Sequence, residues 1–246
     1  MNPAPNPSLD PAETRDYMIR QYPDLIGQCP VLDEMIETGF TVSPQGEKLE
    51  MNAAIFPLYA NALYNIILKL TPMVLLEVGM AFGVSTLAML TALKKIDNPK
   101  SKLISIDPEA FKGWKGSGRF AVERAGLAAR HIMMEDYDYF ALPLLLGKKL
   151  AIDFAYIDGW HTFDYTLLDF FYIDKMLKVG GVVAFNDCSW AAVEKAMRFV
   201  LSHRKYQEIN VGLPTIMYEG SPYPNQDRYF MKMEAGEPRW DFFAEF

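Results

Sequence analysis

Cysteine is almost missing: Cys29 and Cys188 are the only two in 246 residues, far apart and without the spacing of a zinc or redox pair. That argues against a disulfide scaffold and fits a reduced, cytoplasmic protein. Runs of basic residues are also lacking, and 24 Lys and Arg stand against 31 Asp and Glu, a net charge of -7. Without a basic footprint for a phosphate backbone, nucleic acid is not an expected partner. No apolar stretch approaches the roughly 20 residues that span a bilayer, and the polar, proline-rich start from Asn2 to Asp10 lacks the charged and apolar regions of a signal peptide. The expectation is a soluble, unprocessed chain with no membrane partner. What is plentiful is hydrophobicity, at 50% of residues, enough to fill a sizeable core.

Asp10-Pro11 reads as an N-cap with proline at the first helical position, opening a short helix that Pro23 should close. Residues 1–50 read as an N-terminal accessory segment and 51–246 as the main domain. A long helix is expected from about Asn52 to Lys69, with Pro57 delaying its start by a turn. Short apolar runs then recur at Met73 to Val78, Lys102 to Ile106, His131 to Met134, Ile152 to Ile157 and Gly181 to Phe185. Helical segments begin near Gly83, Gly118, Tyr137, Asp164 and Ser189. Apolar strands alternating with helices predict an α/β fold: a Rossmann-like, doubly wound, mostly parallel sheet with helices on both faces. Tyr206 to Val211 and Arg228 to Met233 flank a segment rich in proline and glycine, predicting an antiparallel strand at one edge near the C-terminus.

The strongest local signal is Leu75 to Thr86, an apolar strand ending in Glu77, then Gly79 and Gly83, then a helix that includes Ser85. Glycines at such a turn bring a ligand close to the backbone, and the helix start offers free N–H groups. The spacing departs from both the G-x-G-x-x-G fingerprint and the phosphate loop, which argues against nicotinamide and ATP. One strand later, Asp107 ends Ile104-Ser105-Ile106, where Rossmann-like folds grip ribose hydroxyls. The alternative is that the glycines merely make a tight connection and Asp107 caps the next turn.

A second cluster follows. Asp158 ends the strand through Ala155 and Ile157, His161 lies three residues later, and Asn186-Asp187 ends the next strand. Ligands bind beyond the carboxyl ends of such strands, so these four residues should face the crevice that contains Gly79. Three hard oxygen donors, Asp158, Asn186 and Asp187, fit a magnesium-type divalent cation able to lower the pKa of a bound hydroxyl, with His161 taking the proton. The competing reading makes them turn and cap residues.

On these stretches, Glu77 to Gly83, Ser105 to Asp107, Ile157 to His161 and Leu177 to Asp187, the chain from about Leu75 to Phe199 resembles the small-molecule O-methyltransferases that include macrolide sugar O-methyltransferases and cephalosporin-hydroxylase-like proteins, within the class I S-adenosylmethionine-dependent enzymes. The resemblance implies that Glu77, Gly79, Gly83 and Ser85 form the cofactor loop, with the glycines facing the methionine end. It sets Asp107 on the ribose, Glu135 or Asp136 near the adenine, and Asp158 beside the cofactor. It also implies Asp158, Asn186 and Asp187 as metal ligands, His161 as general base with Asp158 sharing the catalytic work, and a small hydroxylated molecule as methyl acceptor. The family usually carries a carboxylate where Asn186 stands, and an amide oxygen is a weaker, uncharged ligand.

Two alternatives keep the fold: a cofactor-binding module that transfers no methyl group, and a metal-independent enzyme that relies on proximity and alignment. A homo-oligomer is compatible with this composition, since the N-terminal segment can pack against a partner subunit or cap the site. The flexible, basic stretch Lys112 to Gly118 reads equally as a lid or as a plain surface loop. Met133-Met134 and Phe170 to Tyr172 read as core, His131 and His203 as structural, and Cys188 as a poor nucleophile with no base beside it.

Overall fold

The apolar runs become strands where the sequence puts them. The computed structural model describes residues 20–215 and 227–246; the expected helix opening at Asp10-Pro11 lies outside them. Pro30–Thr38 forms α1, Phe40–Val42 and Lys48–Glu50 form the hairpin β1–β2, and Pro57–Leu70 forms α2. Pro57 stands at the first helical position, as its missing N–H requires, so the helix begins five residues later than its apolar spacing suggests. Then follow β3 (Val74–Val78), α3 (Val84–Ile96), β4 (Lys102–Ile106), α4 (Ser117–Arg124), β5 (His131–Met134), α5 (Asp138–Gly147), β6 (Ile152–Ile157), α6 (Phe163–Met176), β7 (Leu177–Phe185), α7 (Ala191–His203), β8 (Tyr206–Ile209) and β9 (Arg228–Lys232).

The seven-stranded sheet runs β5-β4-β3-β6-β7-β9-β8, and its first five strands pair in parallel. β9 pairs antiparallel with β7 and β8 antiparallel with β9, so the late pair forms one edge with β9 inside it. The order reverses between β3 and β6, because the chain goes outward through β4 and β5 before returning. The carboxyl ends on either side of that switch point open the crevice that such sheets offer a ligand.

Apolar residues cover both faces. One face packs Tyr156 and Ala184 against α2, α3 and α1, with Tyr22, Leu25, Leu32 and Met35 in the same core. The other packs Leu76, Ile106 and Phe185 against α5, α6 and α7. The α1 segment therefore shares the core of the main sheet, which the split at residue 50 does not anticipate. Behind the C-terminal pair, buried Asp174 gathers Arg204 at 3.0 Å, Lys232 at 3.0 Å and the Tyr206 hydroxyl at 2.7 Å, tying α6 to β8 and β9. Buried charges persist only when so paired and hydrogen-bonded.

Candidate active site

A cavity of about 1110 Å³ opens above the switch point, lined by loops after β3, β4, β5, β6 and β7 and by the stretch 52–56 before α2. Its floor is the glycine loop. Gly79 has a φ of +86°, and a Cβ there would lie 2.0 Å from the Asp158 carbonyl oxygen, so only glycine fits where the β3 and β6 loops touch. Gly83, also left-handed, packs against Gly118, and no side chain caps the N–H groups that open α3.

Asp107 lines this floor and is heavily engaged: Oδ2 accepts from the N–H of Met80 at 3.0 Å and of Ala81 at 2.8 Å, and Oδ1 from that of Glu109 at 2.8 Å. The carboxylate thus shapes the loop at the same time as it faces the cavity. Glu77 does not line it. Its buried oxygens accept from Ser85 at 2.5 Å, Thr86 at 2.7 Å and Ser105 at 2.6 Å, binding α3 and β4 to β3. Burial pushes its carboxyl up to about 7 although those hydroxyl bonds oppose the shift. Glu77 and Ser85, expected at the cofactor, are consumed by this internal network, because strand alternation turns Glu77 into the protein. After β5, Glu135 and Asp136 face solvent, and Tyr137 and Asp138 take the cavity wall.

On the opposite wall Asp158, His161, Asn186 and Asp187 come together as the two strand ends predict. His161 Nε2 lies 3.5 Å from Asp158 Oδ1 and 3.6 Å from Asp187 Oδ2, within electrostatic reach of both, yet it meets hydrogen-bond geometry with neither. Asp187 holds a φ of +51°, a left-handed conformation that aspartate tolerates. Burial works to lower the imidazole pKa, but Asp158 and Asp187 outweigh it and the net shift is upward. Burial raises Asp158 to about 6 against the opposing pull of His161, and it raises Asp187 as well.

These oxygens do not fit a divalent ion as they stand. The imidazole occupies the space between the two carboxylates, and among the described residues no group of three His, Cys, Asp or Glu side chains is placed to hold a metal. The Asn186 amide donates from Nδ2 to Asp227 Oδ1 at 2.9 Å, which leaves its uncharged oxygen, not its nitrogen, for the cavity.

The sequence reading missed most of the aromatic lining: Phe56, Tyr59, Trp114, Tyr137, Tyr165, Trp160 and Trp190. Trp160 follows Asp158 by two residues, and that neighbourhood was the one available hint. Trp160 is 69% and Trp190 51% exposed at the mouth, and the Trp190 ring centre lies 5.2 Å from that of His161. Trp114, from the Lys112 to Gly118 stretch, packs edge-on against Phe82 at 4.9 Å, while Lys115 pairs with Glu47 beside the hairpin. Cys188 is buried and its thiol pushed up by that burial, in keeping with an inert side chain. His131 bonds Ser105 at 3.0 Å, and His203 stacks on Phe199 with ring centres 4.3 Å apart.

Residues 76–188 match the family model of a methyltransferase domain. That segment is similar to methyltransferase domains. The match begins in β3 and ends just after Asp187, so it spans the glycine floor and the His161 wall together. A curated relative, the uncharacterized protein R132 of Acanthamoeba polyphaga mimivirus, is 31% identical over 116 residues, 45% of this chain and 49% of the relative. The chain thus spans about half the length of the curated relative that it matches. Among solved structures, an O-methyltransferase from Bacillus cereus in complex with S-adenosylhomocysteine superposes with a TM-score of 0.67 at 14% identity, covering 89% of this chain and 97% of that one. The O-methyltransferase TomG from Streptomyces achromogenes, involved in tomaymycin synthesis and bound to S-adenosylmethionine, gives 0.66 at 15% identity over 92% and 100%. At such identities the likeness establishes the fold of the methyltransferase domain, doubly wound with a C-terminal antiparallel pair, as the strand pattern predicts. No helix among the described residues is long and apolar enough to cross a membrane.

Proposed function

We propose that the protein transfers a methyl group from S-adenosylmethionine to a hydroxyl of a small molecule, with His161 as general base. The cofactor supplies an electrophilic methyl group on a sulfonium. Gly79, Ala81, Asp107 and Glu109 would hold its amino-acid and ribose parts, and Tyr137 and Asp138 its adenine; Gly83 shapes the loop and lies off the cavity lining. Ligand-bound O-methyltransferases of the same fold support that choice of cofactor.

The observation that carries the chemistry is the buried His161 Nε2, free of any hydrogen bond and flanked by Asp158 and Asp187 on the cavity wall. As the acceptor oxygen attacks the methyl carbon, its proton passes to Nε2, and the two carboxylates stabilise the imidazolium that forms. The methyl–sulfur bond breaks and leaves S-adenosylhomocysteine.

Five carboxylates (Asp107, Glu109, Asp138, Asp158 and Asp187) line the cavity, with no Lys or Arg among its described lining residues. A neutral or cationic acceptor suits this field better than a phosphorylated one. The aromatic mouth formed by Trp160 and Trp190 favours a flat or partly apolar body.

A metal-assisted reading draws on the three oxygen donors at the ends of β6 and β7 and requires His161 to swing out from between the carboxylates. One experiment separates the two: S-adenosylhomocysteine formation from S-adenosylmethionine with neutral, cationic and phosphorylated hydroxyl compounds, run with magnesium and with chelator. Turnover that survives chelation and needs His161 supports the base reading, and turnover only with magnesium supports the other. Cofactor binding with no product from any acceptor points to a binding module.

A further inference from the structure

Asn186 stands where two strand registers meet. Tyr156 of β6 pairs with Ala184 of β7, and Phe185 of β7 pairs with Arg228 of β9. The next step along that antiparallel ladder sets Asn186 opposite Asp227, one residue before β9 begins. Both are nearly inaccessible, at 5% and 3% exposure. Asp227 Oδ1 accepts from Asn186 Nδ2 at 2.9 Å, and Oδ2 accepts from the Tyr156 hydroxyl at 2.9 Å. Asp227 is off the cavity lining, whereas Asn186 is on it.

A carboxamide has a donor end and an acceptor end, and a carboxylate oxygen takes only the donor. Asp227 therefore decides which end of Asn186 is left for the cavity. With the amide nitrogen drawn back, the carbonyl oxygen is the end left for the cavity wall that Asn186 shares with His161. A carboxyl group at 186 would bring no amide donor to Asp227 Oδ1, and it would add another acid to a site already holding Asp158 and Asp187, beside an Asp227 carboxyl that burial pushes well up. Arg228, the cation next in sequence, is occupied by Glu194 at 3.0 Å and Glu208 at 2.7 Å.

We infer that Asp227 is a positioning residue: it holds the Asn186 amide nitrogen, turns the Asn186 oxygen toward His161, and is the reason an amide rather than a carboxylate stands at 186. The inference concerns the site assigned above to methyl transfer and rests on that reading for its role in turnover. The pairing itself is testable without turnover.

The test is a swap, with Asp227→Asn, Asn186→Asp and the double variant compared to the unmodified chain. Three quantities are read: the thermal midpoint, the ring resonance of His161, one of only three histidines, and kcat on any acceptor found active. Each single variant should lower the midpoint, and the double variant, which restores one donor facing one acceptor, should recover at least half of the summed loss. Asp227→Asn should displace the His161 resonance, which a merely structural role would not do, and the double variant should return it toward its starting value. With an active acceptor, kcat should fall about tenfold in Asp227→Asn at unchanged affinity for S-adenosylmethionine. Additive losses in the double variant, or an unmoved His161 resonance, would overturn the inference. Single variants that fail to fold beside a double variant that folds would support it, and a double variant that also fails would refute it. If no acceptor yields S-adenosylhomocysteine, the proposed function is what fails, and the midpoints and the resonance still decide the pairing.

Discussion

The two walls of the cavity use carboxylates in opposite ways. On the β3–β4 side Asp107, and Glu77 buried behind the wall, have their oxygens filled by backbone N–H groups and hydroxyls, at 2.5 to 3.0 Å. On the β6–β7 side Asp158 and Asp187 face an imidazole that lies 3.5 and 3.6 Å away and bonds to neither. Filled carboxylates fix a shape, because each bond restrains the loop that supplies it. The Asp158 and Asp187 pair instead sets a negative field around His161, which favours a proton or positive charge arriving there. The first wall is a preformed cradle, and the second is where chemistry is proposed.

The comparison is most exposed at His161. His161→Ala should lower the methyl-transfer rate by about 10²- to 10⁴-fold while leaving S-adenosylmethionine affinity unchanged by calorimetry; a parallel loss of affinity would mean that the walls do not act separately.

Glu77 comes next. Its carboxyl, raised from 4.5 to about 7, is protonated in the folded state over a window in which the unfolded chain has already released the proton. Its contribution to stability is therefore full below pH 4.5 and is lost as pH rises through about 7, a change on the order of 3 kcal/mol. Glu77→Gln should flatten that decline in denaturant unfolding curves taken across the window; an unaltered pH profile would show that the network does not carry it.

Asp107→Ala should weaken cofactor binding about tenfold by releasing Met80 and Ala81, whereas Asp158→Ala should leave it nearly intact. Equal losses in the two would erase the contrast between the walls.

The smallest effect is expected at Asp187. The base must be neutral to act, so the upward shift of His161 moves the rise of rate with pH above the ordinary histidine value. Asp187→Asn removes part of that upward pull and should move the rise to lower pH by less than about one unit. Movement to higher pH would show that Asp187 does not act on His161 by its charge.

How far the sequence reached differs between these walls. The strands at Lys102–Ile106, His131–Met134 and Ile152–Ile157 fall where the apolar runs put them, since each run is covered on both faces and its pattern needs no distant partner. The glycine floor was legible too, from Gly79 and Gly83 four apart after a strand, although Asp107 and the Asp158 backbone complete it from distant parts of the chain. The strands β1 and β2 escaped, because three-residue strands leave no periodicity to read, whereas α1 is punctuated by Pro30 at its start and Gly39 at its end, signals that were there to find. The aromatic mouth escaped as well, for lining a cavity is a property of loops brought together from separate strands.

By itself, then, the sequence determined the doubly wound sheet, the glycine cradle and the convergence of Asp158, His161, Asn186 and Asp187, since all three follow from local pattern and from the rule that such sheets bind at their carboxyl ends. Tertiary structure alone decided that Glu77 turns inward to hydroxyls, that an imidazole fills the gap between two carboxylates, and that Asp227 takes the amide of Asn186 from 41 residues away. Those outcomes depend on which face of a strand a side chain takes and on which strand lies beside it. Both are set by the packing of the whole sheet.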